Sequence, residues 1–219
     1  MHYTFLSIPF LAALGFLGME ACHTPAQKPE PALLGYFTPA APADTLRFEI
    51  SENEEYPGPG DTIPNSLFFG TLPPAWLQEI DYIADSTQAL VLGRQRFPLD
   101  DNTDICLVDI RQFWFKHQSL LLYDRQQQVF TGRVTVAEWY GGDGGQILTG
   151  SWLLDYDGDG HKDLVRREIE HGLVPDGDDA REVFHESAML LALKGGRFVE
   201  QPLSDTALVV KRFPIRWVW

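Results

Sequence analysis

The chain is 219 residues long, with 44% hydrophobic and 12% aromatic residues, enough for a packed core and against wholesale disorder. Asp and Glu number 31 against 17 Lys and Arg, a formal charge of −14, which argues against a nucleic-acid binder, since that needs a basic face. Two cysteines permit one disulfide at most and exclude a disulfide-built scaffold.

The chain opens on an uncharged apolar run from Tyr3 to Leu17. A membrane-spanning helix takes about 20 apolar residues, so this run has the length of a secretory h-region instead. It ends Leu17-Gly18-Met19-Glu20-Ala21-Cys22, where the chain turns polar. The small residue before a cysteine resembles the lipobox of bacterial lipoproteins. That resemblance implies a signal peptide over 1–21, lipidation of Cys22, and a membrane partner through the lipid. The expected location is the bacterial cell envelope. A soluble secreted protein with Cys22 paired to Cys106, or an uncleaved anchor, is the alternative. In the lipoprotein reading Cys106, inside Ile105-Cys106-Leu107-Val108, is a buried thiol that packs as a small hydrophobe.

Residues 22–44 follow the anchor and contain Pro25, Pro29, Pro31, Pro39 and Pro42. Proline favours extended, solvated backbone, so the segment reads as a tether, in which Leu33, Leu34, Tyr36 and Phe37 can still dock on a domain. Residues 45–219 read as one β-rich domain. Residues 44–110 carry 13 acidic and 3 basic side chains, so the first half is the acidic one. The stretch Ser51-Glu52-Asn53-Glu54-Glu55 precedes Pro57-Gly58-Pro59-Gly60 and reads as a solvated loop, with docking of a basic protein as the sharper alternative.

One short helix is expected after Pro73-Pro74, with Trp76, Leu77, Ile80 and Ile83 on one face. Strands are expected at 46–50, 89–92, 105–110, 113–115, 120–123, 129–140, 147–154, 164–169, 183–193 and 198–203. Turn residues separate several of them: Gln126-Gln127-Gln128, Gly141-Gly142-Asp143-Gly144-Gly145 and Gly195-Gly196. The pattern implies a mainly β fold, an antiparallel meander or sandwich-like sheet with one short helix. The glycine run around Asp143 reads as a wide hairpin turn, and Pro175 to Asp179 as a solvated turn. The terminal Ile215, Trp217 and Trp219 read as the inward side of a closing strand.

The sharpest chemical signal is Asp155-Tyr156-Asp157-Gly158-Asp159-Gly160-His161-Lys162-Asp163-Leu164. Four carboxylates at positions 1, 3, 5 and 9 repel one another, and a hard divalent cation relieves that repulsion. Asp155, Asp157, Asp159 and Asp163 are the candidate metal ligands, with the carbonyl of His161 as a further oxygen donor and Ca²⁺ as the expected, structural ion. Gly158 and Gly160 permit backbone reversal at positive φ. The alternative is a metal-free turn in which aspartates accept backbone N–H groups. The spacing resembles the calcium loops of FG-GAP/VCBS repeats in cell-surface β-propellers: strand, DxDGDGxxDL, strand. It departs from EF-hands, because Arg166 stands where a bidentate Glu belongs and the flanks read as strands. The likeness covers about twenty residues, 150–169, and carries over the loop only, since a closed propeller needs four or more blades. Without the twelfth-position Glu, the expected affinity is on the order of 10⁻⁴ to 10⁻³ M, suited to extracellular calcium.

No catalytic residue is assigned. His161, His171 and His185 lack zinc spacing, and no nucleophile elbow or phosphate loop is present. The expected function is a calcium-binding, non-enzymatic binding or structural module of the envelope. The alternatives are an inhibitor or adhesin that binds a basic protein, and a hydrolase acting on glycans through two convergent carboxylates.

Overall fold

The apolar runs at 105–110 and 120–123 do not alternate with polar residues, because the strands that contain them are covered on both faces. Strand β5 (Thr103–Gln112) sends Ile105 into one core and Cys106, Val108 and Ile110 into a second. Its partner β6 (Phe115–Asp124) sends Leu120 and Leu122 into the first and Phe115, Leu121 and Tyr123 into the second. Successive side chains of a strand point to opposite faces, so a strand between two cores reads as a continuous hydrophobic run.

The computed structural model describes residues 30–50, 60–77, 80, 86–142, 144–177 and 179–216. Cys22 and the signal segment, the acidic stretch at 51–55, Ile83, Trp217 and Trp219 lie outside the described residues. The remaining strands are β1 (Thr38–Pro39), β2 (Leu46–Phe48), β3 (Asp61–Thr62), β4 (Leu90–Pro98), β7 (Val129–Gly142), β8 (Gly145–Leu154), β9 (Asp163–Asp176), β10 (Asp179–Lys194) and β11 (Arg197–Gln201). From β4 to β11 each strand pairs antiparallel with the next in chain order, the expected mainly β meander. At one edge β1 joins β4 in parallel, so the sheet is mixed.

The sheet splits at β7 and β8. These strands pair only over Glu138–Gly142 and Gly145–Thr149; beyond that point β8 takes β2 as its neighbour, through Ser151 to Leu153. The first half of β7 keeps β6 on one side and has no sheet partner on the other among the described residues.

Three short helices are present among the described residues, where one was expected: α1 (Asn65–Thr71), α2 (Pro74–Leu77) and α3 (Thr206–Arg212). The expected helix is α2, a single turn. Helix α3 begins at Asp205, whose carboxylate accepts the Leu208 N–H at 2.9 Å. At its other end the buried guanidinium of Arg167 donates to the carbonyls of Val210 (2.9 Å) and Phe213 (2.8 Å). Carbonyls at a helix C-terminus have no intrahelical partner, so this arginine completes α3 and ties it to β9. The first core lies between the sheet and α3, with Trp152, Leu164, Val209, Phe213 and Ile215 among its members.

Two expected strands differ in the described residues. Phe113 and Trp114 form the β5–β6 turn, with Phe113 at φ 52°, and are 78% and 72% exposed. Of the expected closing strand, residues 213–216 are irregular and Ile215 is buried as expected, while Trp217 and Trp219 lie outside the described residues.

The second core changes the reading of the tether. Leu33, Leu34 and Phe37, carried on a 3₁₀ turn (Ala32–Tyr36), are buried with Ile63, Phe68 and Leu72 against the second face of β5 and β6. A Cβ at Gly93 would lie 2.3 Å from the Tyr36 carbonyl oxygen, so only glycine admits this close crossing. Leu33, Leu34 and Phe37 therefore dock on the domain, while Thr38, Pro39, Ala41, Pro42 and Asp44 after them are exposed. Leu33→Ala is expected to lower the unfolding free energy by about 2–5 kcal/mol in urea titration; an unchanged midpoint would return the segment to a tether.

Candidate functional site

The aspartate motif closes the β8–β9 hairpin. Leu154 pairs with Asp163, and residues 155–162 form the loop between them. Gly158 at φ 83° and Gly160 at φ 87° reverse the backbone twice. These reversals turn carboxylates spaced two apart toward one centre: Asp155, Asp157 and Asp159 each offer an oxygen within 4.8 Å of the others. Asp155 is half-buried, and the other two are exposed. Backbone N–H groups donate to all three. Gly158 (2.7 Å) and Gly160 (3.0 Å) donate to Asp155, Asp159 (3.1 Å) to Asp157, and His161 (2.8 Å) to Asp159. Such bonds fix the carboxylates without neutralising them.

Asp163 stands apart from the trio. It is buried and accepts the Tyr156 N–H at 3.2 Å. Burial holds its carboxyl above the usual range; the Tyr156 bond opposes this, and repulsion from Asp157, Asp159 and Asp155 adds to it. His161 is exposed. Lys162, the cation within the loop, donates to the Asp44 carbonyl. Among the described residues no cation pairs with the three clustered aspartates. The cluster can hold a metal ion through three carboxylate oxygens; the structure does not bring Asp163 into that group.

A second constellation had no signal in the sequence. His117 and Ser119, two apart on β6, point the same way, and a register shift between Gln118 and Ser119 sets them against Thr135 and Glu138 of β7. His117 Nδ1 lies 2.8 Å from Glu138 Oε1, and Nε2 lies 2.6 Å from Ser119 Oγ. The Arg133 guanidinium donates to Ser119 Oγ at 2.7 Å and to Thr135 Oγ1 at 3.1 Å. Burial drives the His117 pKa down, against the pull of Glu138 and with help from the Arg133 charge. The ring is therefore neutral. The network assigns its proton to Nδ1, which donates to Glu138, while Nε2 accepts the Ser119 hydroxyl.

This is the donor order of a nucleophile triad without access to a substrate. Ser119 has 0% exposure, and its oxygen is covered by Arg133. What the network does is hold two side chains, Arg133 and Glu138, at fixed positions. Both line a cleft of about 600 Å³ that also takes Thr131, Thr135, Arg166, Glu168, Arg197 and Phe198. Periodicity could not reveal this group, because His117, Ser119 and Glu138 are joined only by strand register.

The buried imidazole makes stability depend on pH. The unfolded chain binds a proton near the ordinary histidine value of 6.5, whereas folded His117 binds it only at lower pH. Stability is thus full above that value and falls as pH drops toward the folded pKa, by at most about 1.4 kcal/mol per pH unit. Replacing His117 with Gln should lower stability at pH 7.5 and flatten the loss between pH 7 and 5 in denaturant titrations; an unaltered slope would show that His117 does not titrate this way.

No protein-family model, curated protein or solved structure matches this chain.

Proposed function

We propose that the chain is an exported, lipid-anchored protein of the bacterial cell envelope, and that its β domain is a non-enzymatic binding module stiffened by calcium at Asp155, Asp157 and Asp159. The observation that carries this reading is the convergence of three carboxylates within 4.8 Å on a loop with no cationic partner among the described residues. A hard cation suits this all-oxygen donor set, and the remaining coordination would come from backbone oxygen and water. Bound there, it would pin the turn that joins β8 to β9, beside Tyr156, whose ring lies 6.3 Å from Phe213 of the first core. The ion's role in this reading is structural, and its weak affinity restricts occupancy to calcium-rich surroundings.

Calcium at about ten times its dissociation constant should stabilise the fold by about 1.4 kcal/mol, a rise of about 3–5 °C in melting temperature. Magnesium should give less, and D157N should abolish the rise. Equal melting temperatures in calcium and in chelator would remove the metal. The anchor is tested separately, by mass spectrometry of the membrane-extracted mature protein. An acylated N-terminal Cys22 is expected, and an unmodified chain from the soluble fraction would refute it.

A further inference from the structure

Four of the six large hydrophobic side chains exposed among the described residues stand at one end of the sheet: Phe113, Trp114, Leu173 and Phe184. Register places them there. Lys116 pairs with Trp139, Trp139 with Leu148, Leu148 with Ile169, and Ile169 with Glu186. The Phe113–Trp114 turn lies just past Lys116, and the His171–Phe184 pair lies just past Ile169 in the same direction. Neighbouring strands are about 4.8 Å apart, so the two apolar spots are separated by roughly 15–20 Å along the sheet.

Neither spot serves the fold. Phe113 holds a left-handed backbone and gains no burial for it. The outer part of the β9–β10 hairpin extends past Gly145, where β8 ends opposite Gly172, and β11 joins β10 only from Leu190. No residue from 170 to 187 belongs to either core or packs on one. The ribbon nevertheless carries an apolar face, on which the Phe184 ring stacks on His171 at 4.6 Å and Leu173 stands two residues along. A two-stranded ribbon is marginal by itself and is stabilised by whatever covers such a face. The two spots also differ in charge. Residues 111–116 carry Arg111 and Lys116 and no acid, whereas residues 170–186 carry six acidic side chains and one basic. Arg111, Glu170 and Glu182 have no ion pair or hydrogen bond among the described residues. An aromatic turn flanked by cations and an acidic ribbon with an apolar face are complementary. Side by side on one chain, they meet the requirement of a twofold contact, in which each patch faces the other patch of the partner.

We propose that the chain pairs with a second copy of itself through this end of the sheet: the Phe113–Trp114 turn of each copy packs on Leu173 and Phe184 of the other, with Arg111 and Lys116 against the acidic ribbon. Apolar burial supplies the affinity, and the charges fix the twofold orientation. An anionic lipid surface is the poorer occupant, because it would repel the carboxylates of the ribbon. The aspartate loop closes the opposite end of β8 and β9, beyond Leu154 and Asp163, so the contact is independent of calcium.

The test is sedimentation equilibrium of the full chain in density-matched nonionic detergent, run both in calcium and in chelator. A reversible monomer–dimer equilibrium is expected, equal in the two media, and W114A and F184A should each weaken it about tenfold or more. The charge variants R111E/K116E and E170K/E182K should each dimerise less than the unaltered chain, and an equimolar mixture of the two should recover the dimer, because each altered patch then meets its complement. A chain that stays monomeric up to about 1 mM would overturn the proposal. So would a dimer indifferent to W114A and F184A, or charge variants that do not recover on mixing. A monomer that sediments with phosphatidylglycerol vesicles through Trp114 would give the surface to a membrane. A monomer that binds polylysine through Phe184 would give it to a basic protein. Either result replaces the second copy. If a variant does not melt cooperatively, amide exchange of the unaltered chain at low and high concentration decides: slowing at residues 111–116 and 170–186 is expected, and unchanged exchange there refutes the pairing.

Discussion

Burial of β5 and β6 on both faces is the constraint on which the remaining structure depends. Two strands with apolar side chains on each side must be covered twice, and the chain supplies two separate covers. Helix α3, β2 and the far strands close one face. The residues around Leu33, Ile63 and Phe68 close the other. Leu33, Leu34 and Phe37, from a segment with the composition of a linker, are therefore part of the interior and help to desolvate Cys106, Val108, Ile110 and Leu121. Burial also pushes the Cys106 thiol up to about 12, so it behaves as a small hydrophobe and not as a nucleophile.

The same constraint dictates where the polar groups go. A charge or hydroxyl on a doubly covered strand has no water to turn to and must find a partner inside. Asp109 of β5 meets Arg94 at 3.0 Å, and burial still raises its carboxyl above the ordinary range. Asp104 takes Arg125 at 3.0 Å. His117 and Ser119 take Glu138 and Arg133. The chemistry-bearing side chains of the cleft are thus positioned by residues whose first task is to satisfy one another. A network of this kind is rigid because loss of one member leaves another buried and unpaired.

The departure of β8 from β7 creates the cleft. A meander that paired β7 with β8 along its whole length would leave no room for it. Instead β2 replaces β7 beside Ser151–Leu153, Arg167 locks α3 across β9, and β11 comes back against β7. The recess between them gathers residues from α2, β6, β7, β8, β9, β10 and β11, which are separated by up to 122 positions in sequence from Trp76 to Phe198. The aspartate loop is the opposite case, a site assembled from a single turn.

That contrast sets what could be read without a structure. The strands at 105–110, 129–140, 147–154 and 183–193 declare themselves through apolar runs and glycine turns, and the convergence of Asp155, Asp157 and Asp159 follows from spacing and two glycines, because all of these are local. Asp163, at the ninth position, is buried and accepts the Tyr156 N–H, while the close group of three is formed by the other aspartates. Phe113 and Trp114 have strand composition yet form a turn, since the hairpin register of β5 on β6 outweighs their propensity. The sequence by itself determined the β class and the acidic loop, as neighbours in the chain carry them. Only the tertiary structure decided that Leu33, Leu34 and Phe37 belong to the core, that His117, Ser119, Arg133 and Glu138 form one network, and in what order the strands lie, because each depends on which distant segments cover which face of the sheet.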